Sequence, residues 1–113
     1  IAIDQVLSGW YGGFAIEMMS LGKPVACYLR DEDFLFIPED MRAELPFFNL
    51  RPWRLAEDLE YMFSERSTWT DRGRLGRKFV ERWHDPLMIA NALMAIYKDP
   101  SARLALNPLR DSQ

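Results

Sequence analysis

Apolar positions in this chain follow two kinds of spacing, short unbroken runs in the first half and helical stripes in the second. Ile1 to Leu7 is apolar except for Asp4 and Gln5, is bounded by Ser8 and Gly9, and predicts a strand. After Gly12 and Gly13, the residues Phe14, Met18 and Leu21 fall at i, i+4 and i+7, one face of a helix. Gly22 followed by Pro24 stops it, because glycine accepts the left-handed closing conformation and proline cannot continue a helix. The helix is therefore expected over 13–21. Val25 to Leu29 is again apolar and of strand length, which completes a strand, glycine turn, helix, strand order. Strands joined in this way are parallel, in a sheet covered on both faces.

Residues 30–46 are mixed, with an acidic start at Asp31, Glu32 and Asp33 and a turn or short helix initiated by Pro38. Phe47 to Leu50 is a candidate third strand, ended by Arg51 and Pro52 because the residue before a proline is pushed from helical geometry. Beyond it the pattern is helical. Leu55, Leu59, Met62 and Phe63 make one stripe, Leu75, Phe79, Val80 and Trp83 a second, and Ile89, Leu93, Ile96 and Tyr97 a third. Thr68 with Asp71 has capping-box spacing, and Asp85 before Pro86 reads as an N-cap followed by proline at the first helical position. Gly73 and Gly76 inside the second helix imply a tight crossing, since each glycine costs up to about 1 kcal/mol unless close packing offsets it. The tail from Asn107 to Gln113 is expected to fray.

The chain has 113 residues, 49% of them apolar, which is enough for one core and one domain. It begins at Ile1 in an apolar run, and we expect an excised segment whose upstream partners are missing. A net charge of −3 argues against non-specific nucleic-acid binding. Arg72, Arg74, Arg77, Lys78 and Arg82 form a local basic cluster, readable as a phosphate contact or as a solvated helix face diluted by Asp71 and Glu81. Cys27 is the only cysteine, so no internal disulfide forms, and with His84 the only histidine neither a metal site nor a cofactor is expected. No stretch is long enough to cross a bilayer and no signal peptide opens the chain. A cytoplasmic protein fits this pattern, with a peripheral place at a membrane open to it through a further domain.

In an open α/β sheet, ligands lie beyond the C-terminal ends of the strands. Here that position is the turn from Ser8 to Gly13, where glycines admit close backbone approach and the first amides of the helix face an anion such as a diphosphate. A plain tight turn is the competing reading. Glu17, on the helix that follows, has the chemistry to accept hydrogen bonds from two ribose hydroxyls, or merely to compensate charge near a helix N-terminus. Trp10 and Tyr11 lie at the turn, where they can meet ligand, whereas Trp53, Trp69 and Trp83 read as core.

The run from Asp4 to Val25, with Gly12-Gly13 ahead of Glu17 and Gly22-Lys23-Pro24-Val25 at its end, resembles the donor-site block of family-one and family-four-like glycosyltransferases. The segment from Gly76 to Pro86 is similar to the closing helices of the same domain. The resemblance implies a Rossmann-like, partial parallel sheet with C-terminal helices, half of a GT-B two-domain fold, with 1–113 as part of the C-terminal donor-binding domain. It implies that Glu17 binds the ribose of a nucleoside diphosphate sugar, and that Gly12, Gly13 and Phe14 lie near the diphosphate and the donor sugar. It places His84 between closing helices, far from the turn. The sequence departs from the family where Gly9 stands at the position of a first glutamate, which leaves the catalytic residue and the stereochemical outcome unassigned. An N-terminal acceptor domain and a basic diphosphate clamp would belong upstream of Ile1, so the isolated segment is expected to be inactive and to self-associate through a bare strand edge. The rival readings are a non-catalytic sugar-nucleotide or glycan-recognition module and an unrelated α/β interaction domain.

Overall fold

The computed structural model describes residues 1–101, and the C-terminal tail expected to fray lies outside them. Three parallel strands, β1 (Ala2–Ile3), β2 (Val25–Cys27) and β3 (Phe48–Asn49), form a sheet in the order β1-β2-β3. The helices are α1 (Gly13–Ser20), α2 (Glu39–Glu44), α3 (Leu55–Ser64), α4 (Trp69–Trp83) and α5 (Pro86–Lys98), with 3-10 turns at Asp31–Phe36, Pro52–Arg54 and Arg66–Thr68. The fold is α/β with a small parallel sheet, as its strand, turn, helix pattern predicts.

The period of two along a strand divides the core into two layers. Val25 and Cys27 pack with Ala15, Met19, Met41, Phe79 and Trp83, so α1, α2 and α4 cover one face. Ala26 points the other way, into a cluster with Phe48, Leu50 and Met62 of the β3–α3 segment. The first strand is shorter than the apolar run suggests. Backbone bonds continue past it, from Asp4 N to Ala26 O at 2.9 Å and from Tyr28 N to Gln5 O at 3.1 Å, before the chain bends toward the glycine turn. Beyond β2, the Asn49 side chain replaces the ladder by accepting from Leu29 N at 2.9 Å and donating to Leu29 O at 3.2 Å.

Gly22 closes α1 at φ 73°, its amide on Met19 O and the Lys23 amide on Met18 O. The α1 stripe differs from the expected one: Ala15 and Met19 are buried, while Phe14 and Leu21 are 47% and 68% exposed. The reason is the crossing of α4. A Cβ on Gly73 would overlap the Gly22 carbonyl, and one on Gly76 would stand 3.0 Å from Met19 Cγ, so α4 lies directly against α1 and selects the face carrying the small Ala15. Arg77 Nη1 adds a bond to Ser20 O at 2.5 Å.

At its other end α4 is tied to α2. Arg82 Nη2 donates to Asp40 at 2.6 Å, Arg82 Nη1 donates to Glu44, and Trp83 Nε1 donates to Glu44 Oε2 at 2.8 Å. The capping box at Thr68 does not form. A 3-10 turn precedes α4 and holds Thr68 in helical geometry, with its hydroxyl on Glu65 O at 2.7 Å. The Asp85 cap does form, accepting from Leu87 N at 3.0 Å ahead of Pro86.

The later stripes are only partly interior. Met62, Phe79 and Trp83 are buried, whereas Leu55, Phe63 and Leu75 remain exposed. Helix α5 has no buried residue, and Leu87, Met94 and Tyr97 are all solvent-facing. Among the described residues no helix is long and apolar enough to cross a membrane.

Candidate functional site at the glycine turn

Parallel strands place all their C-terminal ends on one side of the sheet, and the turn from Ser8 to Gly13 lies there. Its first fixed point is Gly9, at φ 83°, a left-handed conformation that side-chain-bearing residues rarely adopt. A Cβ there would also run into the Arg30 side chain, while Arg30 N donates to Gly9 O at 2.9 Å. A glutamate at position 9 would be strained in its backbone and would have to displace the Arg30 side chain, which gives a physical reason for the departure seen in the sequence.

Gly12 is the N-cap of α1 and has no side chain to cap with. Asp4, just beyond β1, supplies the missing acceptor: its Oδ2 takes the amides of Gly12 at 2.9 Å and Ala15 at 3.2 Å. An internal carboxylate at a helix N-terminus satisfies orphan donors and complements the dipole. A diphosphate at this turn would meet the amides of Gly13 and Phe14, which bond to no group among the described residues, or would have to displace Asp4 from Gly12. Asp4 and Gln5 are the polar positions of that first run, but no local spacing points to the amides that Asp4 caps eight and eleven residues on.

Gly13 differs from its neighbours. Its φ is not positive, and a Cβ there would meet nothing within 4 Å, so neither backbone nor packing requires glycine. Phe14 and Glu17 share the solvent-facing side of α1 with Gly13, opposite Ala15 and Met19. The Glu17 carboxylate makes no hydrogen bond or ion pair with the described residues.

The aromatic residues of the turn face inward. Tyr11 stacks on Phe47 with centroids 4.9 Å apart and meets Phe79 edge-on, and Trp10 packs on Tyr11 and Phe34. The Tyr11 hydroxyl and His84 Nε2 share a hydrogen bond at 2.8 Å. His84 thus caps the end of α4, as a helix-boundary residue should, but it is not remote from the turn: the fold brings positions 73 residues apart into contact. Burial pushes Tyr11 up to about 12, with the nearby Cys27 adding to the effect, and lowers His84. Cys27 is itself pushed up to about 12 by burial and then by Asp4, so it remains a thiol.

One further polar pair lies at this end of the sheet. Asp58 on α3 is buried and holds Arg51 bidentately, at 2.7 and 3.0 Å, while also accepting the Arg51 amide at 2.9 Å. The Arg51 side chain keeps the Asp58 carboxyl below its ordinary range. Asp58 lies off the apolar stripe of its helix, and only the return of the chain after Pro52 reveals its partner.

With this geometry in view, no family model, no curated protein and no solved structure matches the chain.

Proposed function

We propose that the chain is the donor-binding part of a GT-B-type glycosyltransferase, taking a nucleoside diphosphate sugar at the turn that leads into α1. The observation that carries this reading is Gly13, a glycine that neither the backbone nor the packing explains, at the first position of a helix whose N-terminus opens at the carboxyl end of a parallel sheet. Absence of a side chain there leaves room for a diphosphate against the amides of Gly13 and Phe14. Glu17, exposed and unpaired, supplies a carboxylate for the ribose hydroxyls one turn further along. In this reading the helix amides stabilise the departing diphosphate, and the general base comes from an acceptor domain.

A second reading is favoured by Gly9, whose conformation and contact with Arg30 disfavour a family glutamate. In it the chain recognises sugar nucleotides without transferring the sugar. Calorimetric titration of the full chain with uridine, guanosine and adenosine diphosphates tests both. Binding that Glu17→Gln weakens by roughly tenfold or more, the loss of a charged acceptor at about 1.5–3 kcal/mol, supports the site. Absence of binding by all three overturns it, and binding without donor turnover by the whole protein selects the second reading.

A further inference from the structure

The opposite end of the sheet carries a second site. The α1–β2 turn and the outward face of α4 enclose a groove of about 720 Å³ at the N-terminal ends of the strands, away from the glycine turn. Its walls present Lys23 on one side and Arg74, Arg77 and Lys78 on the other, with the Trp69 ring and Pro24 forming apolar lining. The one carboxylate in the lining, Glu81, is held by Arg77 at 2.7 Å, and Arg74 is shared with Asp71 at 3.2 Å. Lys23 and Lys78 have no ion-pair partner among the described residues. In a chain of net charge −3 this is a local reversal of sign, with two lysines that have no ion-pair partner among the lining residues.

The walls are also fixed relative to one another. Gly73 seats α4 on the Gly22 carbonyl, and Arg77 Nη1 bonds Ser20 O at 2.5 Å, so the backbone segments that carry Lys23 and the α4 cations keep a set separation. Convergent cations on preset supports match an anion of more than one charge whose oxygens accept from several directions. We infer that this groove binds a multiply charged phosphate group, on a free metabolite or on a lipid headgroup. The inference does not depend on the function proposed for the glycine turn.

The test uses the full chain and two probes, inorganic pyrophosphate by calorimetry and phosphatidylcholine vesicles carrying a phosphoinositide by sedimentation. Lys23 and Lys78 are exposed and unpaired, so Lys23→Glu with Lys78→Glu leaves the fold intact by circular dichroism. The double variant is expected to lose about tenfold or more in affinity, with the binding falling as salt is raised, while the Lys→Arg pair retains it. Loss with pyrophosphate identifies a free phosphate ligand. Loss confined to the vesicles identifies a headgroup. Failure of wild-type chain to bind either probe, or equal binding by the charge-reversed variant, overturns the inference. Pyrophosphate is titrated in the Gly13→Val background as well, where the glycine turn is obstructed, so that binding which survives there and is lost with Lys23→Glu and Lys78→Glu belongs to this groove.

Discussion

The Tyr11 hydroxyl lies 2.8 Å from His84 Nε2, joining the glycine turn to the junction of α4 and α5. The pair sits among Phe47 and Phe79, so neither ring can turn to water without opening the core. Tyr11→Phe leaves the His84 nitrogen without its hydrogen-bond partner and should destabilise the chain by about 1–3 kcal/mol. Chemical denaturation measures the loss. An unchanged midpoint would assign the bond no role in stability.

The same pair sets a pH dependence at both ends of the range. Burial lowers His84 from 6.5, so its neutral form contributes stability that is complete above that value and is lost as pH falls through it. For the acids the sign is opposite. Tyr11 and Cys27 rise from 10.0 and 9.0 to about 12, so their contribution is complete below pH 9 and is lost as pH climbs from 9 toward 12. Melting temperature should fall on both limbs. His84→Gln should flatten the acid limb alone.

Gly73→Ala should be among the most damaging small substitutions in the chain. Alanine gains up to about 1 kcal/mol in helix propensity, but its methyl would overlap a backbone carbonyl that has no freedom to retreat, and overpacking costs about 1–3 kcal/mol or more. Gly76→Ala is the control. Its methyl meets the flexible Met19 side chain at 3.0 Å, which can shift, so the net change should be much smaller. Comparable losses at both positions would place the tight contact elsewhere.

Gly12→Val and Gly13→Val should separate packing from binding. A Cβ at Gly12 presses on Gln5 Nε2 at 3.2 Å, whereas one at Gly13 meets open space. Gly13→Val should therefore cost little beyond the roughly 0.5–1 kcal/mol differences among helix propensities, yet obstruct a diphosphate more than a nucleoside. Equal effects on both ligands would remove the diphosphate from the turn.

Asp58→Asn is expected to destabilise by about 1–3 kcal/mol, because the Arg51 guanidinium and amide lose a charged acceptor at a buried position. With the carboxyl pKa lowered in the folded chain, this contribution is complete above the ordinary carboxylate range and is lost as pH falls below it. Thermal melts at neutral and acid pH read both effects.

The residues carrying local rules were the legible ones. Gly22 stops α1, Asp85 and Pro86 start α5, and the apolar runs at Val25 and Phe48 become paired strands, since each signal depends on a few neighbours. Gly73 and Gly76 announced a close crossing by their cost inside a helix. What they left open was the partner, and α4 on α1 then decided which face of α1 is buried. Phe14 and Leu21 look like core by spacing, but Ala15 is the residue small enough for the approach. Asp4 and Asp58 escaped notice, and His84 was set too far from the turn, for a related reason: each acts on a residue that only the folded chain brings near. At the candidate site, Gly12, Gly13, Phe14 and Glu17 do gather around one helix start, while the Asp4 carboxylate beneath it had no local signature.

Where Gly73 rests on Gly22, helix and turn touch through main chain alone, and main chain has no rotamers. A side-chain contact can loosen by rotamer hops while the helices stay docked; this one opens only if α4 lifts as a whole. Amide protons in β2 and in the middle of α4 should then exchange with solvent together, through one shared opening, and far more slowly than those of α5, whose residues are nowhere buried. The two residues with the least to lose in side-chain contacts thus set the largest cooperative unit of the chain.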